Sequence, residues 1–398
     1  LRIINLNFGT FSYIYGRMMD KTYKIFFSAA EPSGDRLCAK LITALKQTGN
    51  NFEFSGFGGH SMADAGCSII LNTTERAAMT YKAFGQILFF YNAVKKAQKF
   101  FTQNKPDLVV VCDSPSFNFH IAKTAKAQNI PTFFYVAPQL WAWAAWRIKK
   151  LKNLCTAGLA GILPFEPDWF KKQGMECTFV GNPLLEDIDS NSVSVKNYNN
   201  FAITTARIAL MPGSREAEIR SLWPAMQQIA RTLKARHPAI KVTVVAANEN
   251  IANRLRATEV KSLRCTYSVD SVFDTARKVD FTFVASGSAT LQVAAAACPM
   301  VIMYQSSKLL WELVGKRLVK TKYLSLVNIL SQKELVPEFM PYFESPALIA
   351  NTADSLLNSP QKLTDLSFEL TELTKSLTGL KASQNTAKMI IEKLNPQG

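Results

Sequence analysis

Several classes of protein are set aside by what this sequence of 398 residues does not contain. No apolar run approaches the length of about eighteen residues that crosses a bilayer; Val293–Tyr304 comes nearest and reads as a helix end, Cys-Pro, then a strand. The seven cysteines (Cys38, Cys67, Cys112, Cys155, Cys177, Cys265 and Cys298) are scattered and form no C-x-x-C pair. Several lie in apolar runs, where a reduced thiol acts as a small hydrophobe, so a reducing compartment is expected rather than a disulfide framework or a zinc site. Residues 1–17 are interrupted by Asn, Gly, Thr and Ser and hold no signal-peptide core, so 1–20 is taken as an N-terminal extension. A Walker A sequence is absent, and Gly56-Phe-Gly-Gly59 lacks the third glycine of a dinucleotide fingerprint. Acidic residues are short as well, 30 against 46 basic ones, for a net charge of +16 and a pI near 9.5. With no RNA-binding aromatic motif and no dense basic run, nucleic acid ranks behind phosphorylated substrates and an anionic membrane surface as the partner of that charge.

What is present is ample core material, 48% hydrophobic against 19% charged, in a length that suits two or three domains. Strands alternate with helices twice. Lys24–Ala29, Phe52–Phe57, Leu108–Cys112, Thr132–Val136, Leu159–Leu163 and Cys177–Val180 are the visible strands of a seven-strand half. Residues 186–206 are polar and rich in Asn, Ser, Asp and Thr, which marks a domain boundary. Ile208–Met211, Val242–Ala246, Phe281–Ala285 and Met300–Tyr304 form the second half. The fold class expected is α/β: two Rossmann-like doubly wound domains, 21–188 and 189–345, facing across a cleft. Residues 346–398 are helical, and packing back onto the first domain is one arrangement open to them.

Two turns stand out in the second half. Pro212-Gly213-Ser214-Arg215 follows a short strand and precedes a helical pattern of Ile219, Leu222, Trp223, Met226, Ile229 and Leu233. Pro224 inside that pattern suggests a short first turn, then a longer helix from about Trp223. Helix-start N–H groups and the Arg215 fork suit a phosphate pair, although an ordinary βα turn with a surface arginine has the same sequence. About seventy residues on, Ser286-Gly-Ser-Ala-Thr-Leu-Gln292 repeats the strand, small-residue turn and helix start. In the first half, Asp113 ends a buried strand and is a general-base candidate; helix N-cap is its bland alternative. Trp141, Trp143 and Trp146 suit a core or a flat sugar- or acyl-binding surface. Phe84–Phe101 is aromatic on one face and basic on another, and either packs on its own domain or docks at a membrane interface. Residues 309–323 form a second basic amphipathic patch. Asp187-Ile-Asp189 invites a metal reading but lies in linker-like sequence, so it is taken as solvated charge.

Taken in order, the motifs resemble lipid-A-disaccharide synthase, a membrane-associated glycosyltransferase family of the two-domain Rossmann-like (GT-B) class. The resemblance runs from about Lys24 to about Pro341. It rests on Glu31-Pro-Ser-Gly-Asp35, Asp113-Ser-Pro-Ser-Phe-Asn118, Tyr135-Val-Ala-Pro with Trp141-Ala-Trp143, Leu163-Pro-Phe-Glu166, Val180-Gly-Asn-Pro183, Pro212-Gly-Ser-Arg215, Ala285-Ser-Gly-Ser-Ala-Thr-Leu-Gln292, the run Leu318 to Asn328, and Glu334-Leu-Val336. It implies inverting transfer of a diacylated glucosamine from UDP onto a diacylated glucosamine 1-phosphate, with no cofactor and no catalytic metal. Asp113 then takes the place of the base. Gly213, Ser214, Arg215, Ser286, Gly287, Ser288 and Gln292 line the donor site. Glu31, Ser33, Gly34, Asp35, Asn118, Trp141, Asn182 and Asn328 fall on the acceptor side or support it. A cytoplasmic protein held peripherally at the inner membrane is implied; the oligomeric state is not. The chain departs from the family pattern in four places. Asn182 stands for His, Gln292 for Glu and Ser116 for Asp, and the Arg that follows Trp-Ala-Trp is displaced to Arg147. A different acceptor, or a catalytically silent nucleotide-sugar or lipid-binding protein, is the alternative those departures leave open.

Overall fold

The computed structural model describes residues 21–74, 83–189, 193–308, 311–315, 319 and 321–395. The chain divides into two compact units. The first comprises the described residues up to Leu140, Ala144–Pro183 and those from Leu380 onward; the second comprises Trp141–Trp143 and Leu184–Gly379.

The first unit is built on a parallel seven-stranded sheet in the order β3-β2-β1-β4-β5-β6-β7. Its strands are β1 (Thr22–Ala29), β2 (Asn51–Gly58), β3 (Ser68–Asn72), β4 (Leu108–Cys112), β5 (Thr132–Tyr135), β6 (Gly158–Gly161) and β7 (Thr178–Phe179). β4 is Leu-Val-Val-Val-Cys and buried at every position, the near-continuous apolar strand of a sheet covered on both faces. Phe26, Phe57 and Phe101 interlock behind it, with ring centroids 5.1 and 4.9 Å apart in edge-to-face pairs. β3 was not among the expected strands. It is a short, half-buried edge strand that follows a helix of five residues, so no periodicity announces it.

β1 pairs with β2 on one side and β4 on the other, so the strand order reverses between β1 and β4. The carboxyl end of the sheet at such a reversal is where α/β folds take ligands. The helix Ala83–Asn104 packs Ala93, Ala97 and Phe101 into the core and leaves Leu88 and Tyr91 exposed.

The second unit repeats the plan with β8 (Arg207–Met211), β9 (Lys241–Ala246), β10 (Thr266–Val269), β11 (Phe281–Ala285), β12 (Met300–Met303) and β13 (Glu338–Phe339). All are parallel, in the order β10-β9-β8-β11-β12-β13. Here the order reverses between β8 and β11. The helix after β8 runs unbroken from Glu216 to Arg236, which corrects the expected break at Pro224. Pro224 lies on the exposed face, where the Arg220 carbonyl that loses its N–H partner can turn to water. The six residues of the expected apolar stripe are all buried.

The polar stretch taken as a linker is anchored over its described part. Lys196 is half-buried and its Nζ donates to the carbonyls of Ala276, Arg277 and Val279 at 2.8, 2.8 and 2.6 Å, capping the end of the helix Val272–Lys278. Burial lowers its pKa. The C-terminal helices do not act as one group. Pro346–Leu357 packs on Glu216–Arg236, and Pro360–Thr374 on the helix Ala289–Ala295, within the second unit. Ala382–Leu394 packs on Pro32–Lys46 of the first, where Tyr23 OH bonds Asn395 and Asn385 Nδ2 donates to the Val180 carbonyl at 3.0 Å. No helix among the described residues is long and apolar enough to cross a membrane.

Candidate active site

At the reversal point of the first sheet the backbone leaves ordinary geometry. Asp113 has φ +53° and Ser114 φ +42°, two consecutive left-handed residues directly after β4. Val136, after the neighbouring β5, has φ +65°, an outlier for a β-branched side chain. Each such residue costs on the order of 1–3 kcal/mol, and strain of this kind persists where the surroundings over-determine it. The brace is Asn118. Its side chain is buried, Nδ2 donates to the carbonyls of Cys112 and Asp113 at 2.8 and 2.7 Å, and Oδ1 accepts from Ser28 Oγ at 2.7 Å. Asp113 itself is exposed. The N-cap position of the next helix, Pro115–Lys126, is Ser114. Ser114 Oγ donates to Glu31 Oε1 at 3.4 Å, linking the loops after β1 and β4.

The rest of the Glu31–Asp35 motif forms the first turn of the helix Pro32–Lys46. Asp35 is buried and accepts from the backbone N–H groups of Gly59, Ser61 and Met62 at 2.7, 3.0 and 3.2 Å. A Cβ on Gly59 would lie 2.4 Å from Thr74 Oγ1 and 3.0 Å from Asp35 Oδ2, so glycine there leaves room for both side chains. Gly34 seats the start of the helix against Ala29 and the Cys112 carbonyl, with Ser33 half-buried beside it. Trp141 and Asn182 are both buried. Trp143 and Trp146 are exposed, Trp146 the more so, with the Arg147 guanidinium 4.9 Å from its ring centroid.

In the second unit the same edge carries both glycine-containing turns, after β8 and after β11. Gly213 has φ +99°, and Arg215 stands exposed at the start of the long helix. Sequence reasoning passed over Glu218, although it sits three residues past the cap, the spacing of a capping box. Its Oε2 accepts from the N–H groups of Ser214 and Arg215, both at 3.2 Å, and its Oε1 lies 3.1 Å from Arg215 Nη1. After β11, Ser286 N–H donates to the Met303 carbonyl at 2.8 Å, and the Gly287 carbonyl accepts from Thr290 Oγ1 at 2.7 Å. Ser286 and Gln292 are half-buried, while Gly287 and Ser288 are exposed. Asn328 is another brace: buried, it exchanges bonds with Val336 at 2.9 and 3.0 Å and donates to Glu338 Oε2 at 3.0 Å. Among the described residues no three His, Cys, Asp or Glu side chains gather as a metal site, and Asp187 and Asp189 are exposed.

Residues 25–392 match the family model described as lipid-A-disaccharide synthetase. The chain belongs to that family. Lipid-A-disaccharide synthases are similar to it across nearly their whole length. That of Coxiella burnetii (strain CbuK_Q154) is 31% identical over 92% of this chain and 97% of its own. That of Trichlorobacter lovleyi is 30% identical over the same shares. Lipid-A-disaccharide synthase 1 of Legionella pneumophila is 30% identical over 94% and 99%. Solved structures share the fold at low identity. UDP-GlcNAc 2-epimerase from Neisseria meningitidis, bound to UDP-GlcNAc, gives a TM-score of 0.61 at 11% identity over 95% of this chain and 100% of that one. Acinetobacter baumannii MurG gives 0.54 at 15% over 94% and 100%.

As a member of the family, the protein is a glycosyltransferase of lipid A synthesis with the two α/β domains of the GT-B class. Its departures from the family pattern fall in contrasting surroundings. Asn182 is buried, Gln292 is half-buried, and Ser116 is exposed on the first turn of its helix. Behind that turn the charge is one-sided. Burial, Lys150 and Lys123 lower the pKa of His120, and burial, Arg147 and Lys123 lower that of Lys150.

Proposed function

We propose that this protein condenses UDP-2,3-diacylglucosamine with 2,3-diacylglucosamine 1-phosphate, giving the lipid A disaccharide 1-phosphate and UDP with inversion at the donor's anomeric carbon. The observation that carries the assignment is topological. Asp113 follows the strand on one side of the order reversal in the first sheet, and Arg215 and Ser286 follow the two strands that flank the reversal in the second. In the reaction the acceptor hydroxyl oxygen forms a bond to the anomeric carbon while the bond to UDP breaks. Asp113 takes the hydroxyl proton, and the electron pair leaves with the diphosphate. Arg215 and the turn at Ser286, Gly287 and Ser288 stabilise the charge that collects there, while Gln292 offers the nucleotide a neutral donor and acceptor. The step needs no covalent intermediate.

A coupled assay in detergent with both acylated substrates tests the assignment. Asp113→Asn should lower disaccharide formation by about 10²–10⁴-fold with UDP binding intact, the range of a lost general base. A wild-type rate in that variant removes Asp113 from the role. No disaccharide from the wild type, with UDP still bound, moves the protein to another acceptor.

The membrane reading rests on charge and exposure. The adjoining helices Ala83–Asn104, Pro115–Lys126 and Ile148–Leu154 carry Lys95, Lys96, Lys99, Lys123, Lys126, Lys149, Lys150 and Lys152, with no Asp or Glu. Leu88 and Tyr91 are more than half exposed on the first of them, with Lys95 Nζ 4.5 Å from the Tyr91 ring. Such a face favours peripheral binding to the anionic cytoplasmic leaflet of the inner membrane, at about 1 kcal/mol per basic residue near the surface. Of the second patch, 309–323, residues Leu309, Leu310, Lys316, Arg317, Leu318 and Lys320 lie outside the described residues. Flotation with anionic vesicles should carry the protein at low salt and release it at high salt; indifference to anionic lipid sinks the reading.

A further inference from the structure

The turn after β8 holds a carboxylate that the donor reading leaves without a function. Glu218 has a side chain 11% exposed, against 65% for Arg215. Its Oε2 takes the N–H groups of Ser214 and Arg215, and its Oε1 takes Arg215 Nη1. A Cβ on Gly213 would lie 2.5 Å from that same Oε2, so the glycine makes room for the carboxylate. These donors, two N–H groups at the start of a helix and one edge of a guanidinium, are the set that a phosphate oxygen would take.

We propose, on the donor-binding reading above, that Glu218 occupies the anion seat of this turn and sets the affinity for the nucleoside diphosphate by competing with it. On binding, the Ser214 and Arg215 donors exchange one anion for another, and Glu218 is left beside a ligand of its own sign. Two effects oppose each other when Glu218 is neutralised. Arg215 loses an ion-pair partner, but its own side chain is 65% exposed, and a pair with one partner in solvent contributes little. Removing a full negative charge close to the diphosphate acts directly on binding, and an amide oxygen still accepts the two N–H groups. The second effect is the larger. In the working enzyme the same competition hastens release of UDP after transfer.

Calorimetric titration of UDP, and of uridine as a probe without phosphates, into wild type, Glu218→Gln and Arg215→Ala tests this. Glu218→Gln should bind UDP about tenfold more tightly, with uridine affinity and Tm unchanged. An unchanged or weakened UDP Kd in that variant, or an equal gain for uridine, overturns the proposal. Weaker UDP binding in Arg215→Ala would keep the donor reading standing even then. UDP binding at the wild-type level in Arg215→Ala would instead remove the donor reading itself. If Glu218→Gln melts early, Glu218→Asp replaces it, since one methylene fewer withdraws the charge from the N–H groups. Tighter UDP there supports competition for the seat, and unchanged or weaker binding overturns it.

Discussion

After β4 the chain turns through two left-handed residues, Asp113 and Ser114, whereas after β8 it turns through Gly213 and enters a helix of ordinary geometry. The first turn is strained and clamped from behind by a buried amide, and it presents a carboxylate. The second is relaxed, and a carboxylate from its own helix closes it. The difference fits the tasks proposed for them. A base must meet one hydroxyl in one orientation, so backbone strain is tolerated to fix it. A diphosphate site must bind and then release, and a filled, exchangeable anion seat allows both.

Three substitutions would break or sharpen this contrast. The largest effect belongs to Asp113→Asn, which should abolish most transfer while UDP titrations stay at the wild-type level, since only the first turn is touched. Asn118→Ala comes next. It strands two carbonyls and the Ser28 hydroxyl, at a cost of about 2–4 kcal/mol in chemical denaturation. The transfer rate should fall with it, and UDP affinity should hold; a normal rate in the folded variant would mean that Asp113 does not depend on the brace. The smallest effect is that of Gly213→Ala. A methyl group there meets Glu218 at a φ that alanine disfavours, so about 1–2 kcal/mol of stability should be lost. The change should appear in UDP binding before it appears in the rate at saturating donor. A loss confined to the saturated rate would contradict the division between the two turns.

Much of this was legible beforehand, for a local reason. The apolar stripe from Ile219 to Leu233 and the all-buried run of β4 reflect side-chain periodicity, which acts within a few residues. The turns at Asp113, Arg215 and Ser286 were visible because small and polar residues interrupt those runs. β3, β10 and β13 were not, being short strands only partly buried. The unbroken helix through Pro224 was hidden as well, because exposure of that one face is a property of the packed domain.

By itself, then, the sequence determined the alternation of strands and helices, the ordered motifs that mark the family, and the turns that follow the carboxyl ends of the strands in each sheet. Only the tertiary structure decided which polar motif residues face outward and which face their own backbone. Asp35 reaches N–H groups 24 or more residues away, and Asn118 reaches Ser28 across 90. Such partners meet only when strands distant in sequence are laid side by side, and a hydrogen bond formed at that range leaves no periodic trace in the chain.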